Sequence, residues 1–398
     1  MLELDAVQTL ALAGLTAFLG YALCRRVPLF ARYNLPAPVV GGLVVALVVL
    51  AAHLQGTTLL VLDTGLQAPL MIAFFTAIGF NASFSLLRAS GGQVLLLLAI
   101  ATVFAVLQNL LGILVASSFG LHPLFGVVAG STTLTGGPAT GLAFAPLFEQ
   151  AGVAGAESVA VASAMAGIIC GGVLGGPMVT RLIRRHRLQS SHAPSADSPA
   201  QPDATGTDTS SGAREMNALK AMVMILLAMW LGSWISRGIS ALDVTLPAYV
   251  GAMVVGALLR NLDDQTGWLR LPMEAIAVIG SVCLVLFLCV ALMNLRLWEL
   301  SGLAFPLLVN LALQVLLVAL LFGLVFRMMG RDYDAAVTTG GFIGFILGTT
   351  ANAMAVMQAL VERYGAAPRA YLVAPIVGAF FIDFTNALVI TGFINFWA

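Results

Sequence analysis

The chain has 398 residues, of which 60% are hydrophobic and only 9% are charged, and its formal net charge is zero. Ordinary soluble domains carry about 25% charged residues. This composition excludes a soluble globular protein and indicates a polytopic membrane protein.

Apolar stretches close to the ~20 residues needed to cross a bilayer recur along the whole chain. They lie on both sides of a polar central segment. In order, they cover residues 7–24, 38–54, 66–87, 94–119 and 157–179, then 218–235, 246–259, 272–293, 304–326 and 370–391. The sequence therefore predicts an all-α polytopic membrane protein with about ten transmembrane helices.

The first stretch is preceded by Glu3 and Asp5 and by no basic residue. It is also longer than the apolar core of a typical signal peptide, so we expect it to be a retained membrane span. The four cysteines lie within or at the edge of apolar spans, without the spacing of a disulfide framework or a zinc site. We expect no structural metal and no cofactor.

The positions of the basic residues predict the orientation, because cytoplasmic loops carry an excess of Lys and Arg. If the N-terminus lies outside, all 18 basic residues except Arg237 and Arg296 lie on the cytoplasmic side. Both termini are then external. This orientation also determines from which face of the membrane the two glycine-rich segments enter and leave.

Two runs rich in glycine and threonine, Thr132 to Gly141 and Thr338 to Asn352, lie between predicted spans. Under this topology residues 124–148 enter and leave by the external face, and residues 335–361 by the cytoplasmic face. Each segment is too short for two full spans. Irregular backbone at membrane depth occurs only where protein buries it or where it lines a watery cavity. We therefore predict two re-entrant hairpins and place the functional site at their tips.

The chain divides into two related halves. Residues 35–46 match residues 246–257 at six positions, and aligning Phe74 with Phe287 places Asn81 on Asn294. The halves enter the membrane from opposite sides, so the repeat is inverted, as in many secondary transporters. We predict an N-terminal five-helix repeat at 1–185 and a C-terminal one at 218–398. Residues 186–217, rich in Ser, Ala, Pro, Asp and Thr, are predicted to be a disordered cytoplasmic linker.

Several long stretches carry a resemblance to a known family. They include PLMIAFFTAIGFNAS (Pro69 to Ser83), AGSTTLTGG (Ala129 to Gly137) and RMMGRDYDAAV (Arg327 to Val337). With these stretches the chain resembles the glutamate:sodium symporter family of bacteria over nearly its whole length. The resemblance implies import of L-glutamate with sodium as the coupling ion, a homodimer, and alternating access by an elevator-type movement.

Other functions remain open at this point. Pro138 and Phe342 depart from the hairpin pattern typical of the family, so the chain could transport another small carboxylate or amino acid, with sodium or protons. An ion channel could also use re-entrant loops, but two dissimilar hairpins from opposite faces fit a symmetric filter poorly. The four histidines lie at span ends, in loops or in the linker, and no HExxH, GxSxG or P-loop motif occurs. We expect neither an enzyme nor a nucleic-acid partner.

The chemistry of an anionic amino acid selects the substrate-binding candidates. No Lys or Arg lies centrally in any span, so carboxylates would need helix N-termini, hydroxyls and amides as donors. An ammonium group would need a carboxylate or carbonyls, and Asp383 is the only acid deep within a span. The candidates are Thr132, Thr133, Thr135, Gly136, Gly137, Thr140, Gly348, Thr349, Thr350, Asn352 and Asp383.

Sodium, as a hard cation, would take oxygen ligands. Asp383 and Asn386 lie on nearly one helix face and are the leading side-chain candidates. Asn81 and Asn294 are added because they are equivalent across the repeat, although interhelical hydrogen bonding would explain either one. Asp383 could equally be a packing acid, and the sequence does not decide whether it faces a cation or an ammonium group.

Overall fold

The computed structural model describes residues 2–89, 91–190, 211–240 and 247–397. Almost all of this part of the chain is helical, and seven of its helices are long and apolar enough to cross a membrane. A short parallel pairing of β1 (Leu2–Leu4) with β2 (Leu60–Leu62) was not predicted. The protein is therefore an all-α polytopic membrane protein apart from this pair, and the ten-span count stays a prediction.

The residues before the central segment form nine helices within the described ranges. These are α1 (Ala6–Arg26), α2 (Pro28–Arg32), α3 (Ala37–Leu54), α4 (Gln67–Phe80), α5 (Phe84–Ala89), α6 (Gly92–Ser118), α7 (Pro123–Val127), α8 (Gly137–Gln150) and α9 (Ala156–His186). A π-helical turn, Val128–Thr132, follows α7 directly. The predicted third span, residues 66–87, is thus two helices, α4 and α5, separated at residues 81–83.

The residues after the central segment form eight α-helices within the described ranges. These are α10 (Ser211–Ser240), α11 (Ala248–Thr266), α12 (Met273–Met293), α13 (Ala304–Met328), α14 (Tyr333–Ile346), α15 (Thr350–Tyr364), α16 (Pro368–Ile376) and α17 (Ile382–Trp397). A 3₁₀ turn, Leu297–Leu300, precedes α13, and a π-helical turn, Val377–Phe381, joins α16 to α17. The last predicted span is therefore one apolar stretch whose regular helix is interrupted.

The predicted linker requires one correction. Residues 211–217 form the first turns of α10, and His186 still belongs to α9. Ala, Arg, Glu and Met favour helix, and no proline occurs between Pro202 and Pro247, so α10 can begin before the apolar stretch. Residues 187–190 follow α9 without helix or strand, and residues 191–210 of the predicted disordered segment lie outside the described residues.

The two glycine-rich segments are helix-turn-helix units. Hairpin 1 comprises α7, its π-helical turn and α8 (residues 123–150), and hairpin 2 comprises α14 and α15 (residues 333–364). Their bounds lie within a few residues of the predicted 124–148 and 335–361. Whether each hairpin enters and leaves by one face stays a prediction.

The helices pack in two groups. Group A contains α1, α3, α4, α10, α11 and α12, whereas group B contains α6 to α9 and α13 to α17. Both hairpins belong to group B. Each group takes helices from both sides of the central segment, so the predicted halves of the sequence are not separate packing units.

Candidate functional site

The turn of hairpin 1 is a break in a helix that is completely buried. Gly130 has non-helical backbone angles (φ −104°, ψ −129°), and the side chains of Ser131 and Thr132 are inaccessible to solvent. Freed backbone groups in such a place need partners inside the protein. The surrounding helices provide them.

Three asparagines from three helices hold this turn. Asn109 in α6 accepts a hydrogen bond from the backbone N–H of Ser131 at 2.9 Å. Asn310 in α13 donates to the carbonyl of Ala129 at 2.7 Å, and Asn386 in α17 donates to the carbonyl of Ser131 at 2.9 Å. The three side chains are at most 1% exposed. Together they fix the broken backbone in one conformation.

Each asparagine uses only one of its two polar atoms. Nδ2 of Asn109 and Oδ1 of both Asn310 and Asn386 are buried and have no hydrogen-bond partner among the described residues. The same holds for the hydroxyls of Ser131 and Thr132. An unsatisfied buried polar group costs about 1–3 kcal/mol. Five such atoms around one turn leave hydrogen-bonding capacity that a water molecule or a polar ligand would satisfy.

The tips of the two hairpins meet. Gly137, the first residue of α8, has φ +69°, and a Cβ atom built on it would lie 3.5 Å from Cγ2 of Thr349 and 3.7 Å from the carbonyl of Gly348. Thr349 caps α15 by accepting a hydrogen bond from the N–H of Asn352 at 3.4 Å. The N-termini of α8 and α15 therefore lie against each other.

Two glutamines connect the tips with the helices behind them. Gln108 in α6 donates to the carbonyl of Ile346 at 3.0 Å and accepts from the hydroxyl of Thr135 at 2.7 Å. Gln314 in α13 donates to the backbone carbonyl of Gln108 at 2.7 Å. Gln108 thus contacts both hairpins, and its side chain fixes their relative position.

Most predicted tip residues are buried where the two tips meet, but their side chains have different hydrogen-bond partners. The hydroxyl of Thr133 donates to the carbonyl of Val128 at 2.8 Å, and that of Thr350 donates to the carbonyl of Gly378 at 2.5 Å. These two hydroxyls therefore stabilise the local backbone. Asn352 donates to the carbonyl of Ile168 at 2.7 Å, while its Oδ1 has no partner among the described residues. Gly136 packs against Thr132 and Thr140.

Asp383 begins α17, one turn before Asn386, and is half-buried. In the part of the chain that the structure describes, no hydrogen bond to its carboxylate is found. It lies near enough to Tyr249 of α11 to interact electrostatically with that hydroxyl. Tyr249 is buried and stacks on Phe75, with ring centroids 4.0 Å apart. Asp383 thus lies where groups A and B meet.

Asn81 and Asn294 occupy equivalent positions, as the repeat predicted. Asn81 directly follows α4 and Asn294 directly follows α12, and both side chains are exposed. Among the described residues, the side chain of Asn81 donates to the carbonyl of Ala77, at 3.4 Å. The structure does not bring either residue to the three asparagines that hold the turn of hairpin 1. Their role as sodium ligands stays a prediction.

Sequence reasoning missed several residues of this cluster. The residues that the sequence does not single out for the site are Gln108, Asn109, Ser131, Asn310 and Gln314. The available signal was an amide inside an otherwise apolar span, which is costly unless it has a partner. Asn310 and Gln314 are four residues apart and therefore share one face of α13.

The fold and site define a multi-pass membrane protein whose discontinuous helices meet at a buried polar cluster, an architecture typical of secondary transporters. The family model described as sodium/glutamate symporter matches residues 2–366. The sodium/glutamate symporter of Escherichia coli (strain K12) is 40% identical over 395 residues, covering 98% of this chain and 97% of the relative. That of Haemophilus influenzae (strain ATCC 51907 / DSM 11121 / KW20 / Rd) is 38% identical over 382 residues, covering 96% and 95%. The chain belongs to the sodium/glutamate symporter family.

Proposed function

We propose that this protein imports L-glutamate together with sodium across the bacterial inner membrane. Its relatives are named sodium/glutamate symporters, and the chain is similar to them over nearly its full length. The observation that carries the proposal is the meeting of two buried hairpin tips beside polar atoms without partners. Such an arrangement suits a small charged solute.

The N-termini of α8 and α15 are the proposed binding place for the carboxylates of glutamate. Free N–H groups and the helix dipole favour anions there, and the two N-termini point at one region from different hairpins. The hydroxyls and amides of the predicted tip residues would add donors. The ammonium group needs an acceptor, for which Asp383 is the proposed residue. Asp383 and Asn386 are also the proposed side-chain ligands of sodium.

The two departures from the family pattern, Pro138 and Phe342, have different consequences for the choice of substrate. Phe342 is buried in group B, with its ring 5.3 Å from that of Phe104, so it faces the core. Pro138, in the first turn of α8, removes one N–H from the proposed carboxylate site. Transport of another small carboxylate or amino acid is therefore the second candidate, supported by Pro138 alone.

Alternating access would require group B to move relative to group A. Both hairpins belong to group B, so such a movement would carry the whole site, which is an elevator-type mechanism. The proposed orientation has both termini in the periplasm. A homodimer is proposed on the family resemblance.

Uptake by purified protein in liposomes tests the function. Labelled glutamate, aspartate and other small carboxylates are supplied with an imposed sodium or proton gradient. We expect saturable glutamate uptake that requires an inward sodium gradient. Uptake driven only by protons, or of a different acid only, would support the second candidate, whereas a non-saturable current would indicate a channel.

A further inference from the structure

We propose that sodium binds against the turn of hairpin 1, with Oδ1 of Asn310, Oδ1 of Asn386 and the hydroxyls of Ser131 and Thr132 as its side-chain ligands. This inference rests on the proposed function, because that function makes sodium the coupling ion. It adds Asn310 and Ser131 as sodium ligands, turns Thr132 from a substrate ligand into one, and makes Asp383 a neighbouring charge instead of a ligand. Asn109 is the positioning residue that holds Ser131.

The hydrogen bonds of the asparagines bring the free oxygens together. Asn310 and Asn386 are anchored on the carbonyls of Ala129 and Ser131, which are two residues apart in one turn. Because each Nδ2 is engaged, each Oδ1 is oriented and free to accept. Ser131 and Thr132 belong to the same turn. All four oxygens therefore lie around the same turn.

The chemistry of these atoms favours a monovalent cation. An amide Oδ1 can only accept, so the free oxygens of Asn310 and Asn386 suit a cation or a donor better than a carboxylate. Divalent ions such as Ca²⁺ take carboxylate ligands, and these four oxygens include none. In the described ranges, no group of three His, Cys, Asp or Glu side chains is placed to hold a metal. Neutral oxygens beside a broken helix match the way transporters hold sodium.

Asp383 would complete the electrostatics of the site. It lies one turn before Asn386 on α17 and carries the only acidic side chain deep in that predicted span. Its charge would offset that of the ion without direct contact being required. The site thereby couples three helices, α6, α13 and α17, to the tip of hairpin 1.

Sodium-dependent thermal stabilisation of the full-length protein in detergent, without glutamate, tests the site. Sodium chloride is titrated at constant ionic strength against choline chloride. The informative variant is T132V, which removes a hydroxyl that has no partner among the described residues and keeps the side-chain volume. We expect its stability without sodium to equal or exceed that of the wild type, and its apparent sodium affinity to fall by about tenfold or more.

The matched control is T391V. Like that of Thr132, the Thr391 hydroxyl is buried and has no partner among the described residues. Thr391 lies on α17, about one and a half turns beyond Asn386. We expect wild-type sodium affinity for this variant. A second test variant, N310A, should weaken sodium binding at least as much as T132V.

The outcomes separate this inference from the proposed function. If sodium does not stabilise the wild type, sodium coupling itself is contradicted. If sodium stabilises the wild type and both T132V and N310A equally well, the function stands and this site is wrong. An equal loss in T391V and T132V would also overturn the site, because the effect would then follow from any buried hydroxyl.

Discussion

Buried amides and hydroxyls provide most of the polar chemistry of this protein inside the membrane. The glycine and threonine tips were predicted from the sequence, since such residues in an apolar chain mark irregular backbone. Asn109 and Asn310 were not predicted as site residues, because a single asparagine in an apolar span fits an ordinary interhelical hydrogen bond equally well. Only their convergence on residues 129–131 distinguishes them, and this depends on the tertiary fold.

Asp383→Asn separates the two roles proposed for the carboxylate. The substitution keeps the size of the side chain and removes its charge. If Asp383 balances sodium, we expect the apparent sodium affinity to fall by about tenfold or more, with expression near normal. If it accepts the substrate ammonium, glutamate affinity should fall first at saturating sodium.

Both ligands must be titrated in this experiment, because an effect on one reaches the other through linkage. Asp63→Asn, which removes the charge of an exposed carboxylate, is the control for expression and charge. If Asp383→Asn keeps wild-type dependence on sodium and glutamate, Asp383 is a packing acid.

Gly137→Val tests the contact between the two tips. Gly137 has φ +69°, which a β-branched residue rarely adopts, and its missing side chain lets Thr349 approach. We expect uptake to be lost while the amount of folded protein in the membrane stays near that of the wild type. Gly152→Val, with φ +95° but nothing within 4 Å of an added Cβ, controls for backbone strain alone. Normal uptake by Gly137→Val would remove this tip from the site.

At the scale of elements, the spans and hairpins follow from the sequence, whereas the interruptions within them do not. Hydrophobicity predicts where a helix crosses apolar surroundings, but it does not distinguish α-helical from π-helical turns at residues 128–132 and 377–381. The break between α4 and α5 was missed because residues 81–83 lie within a long apolar stretch. Asn261 of α11 holds this break, donating to the carbonyl of Ala82 at 2.7 Å.

Hairpin 1 is attached to α6 through direct backbone contact. A Cβ on Gly112 or Gly126 would overlap the backbone of the other helix. We expect Gly112→Ala to lower the free energy of unfolding by about 1–3 kcal/mol, since the two helices must separate. Gly172→Ala in α9 is the matched control, because nothing lies within 4 Å of its added Cβ. Thermal denaturation in detergent measures both, and equal stability of the two variants would contradict the close contact.

At the scale of the molecule, the sequence predicts an internal repeat, but it does not reveal how the repeats interlock. Periodicity and motif matching compare segments along the chain. The membership of groups A and B depends on which helices face each other. The proposed orientation, in contrast, depends only on the distribution of charge and can be tested without a structure.

Cysteine labelling in intact cells checks the orientation. Gln55 and Gln189 are both exposed, and the proposed topology places the first outside and the second in the cytoplasm. We expect a membrane-impermeant maleimide to label Gln55→Cys and not Gln189→Cys, with both labelled after permeabilisation. The wild type measures labelling of the native cysteines. The reverse pattern would invert the topology and the proposed faces of both hairpins.

Groups A and B each contain helices from both sides of the central segment. This determines the stability of the fragments when the chain is cut there. A cut between residues 190 and 211 yields one fragment with α1 to α9 and another with α10 to α17. Each fragment lacks helices from both groups, so α4 loses α11 and α12, while α14 loses α9. Neither fragment should be stable when it is produced alone. The two fragments produced together should assemble as a non-covalent pair and recover transport, because their interface is the interior of the intact protein.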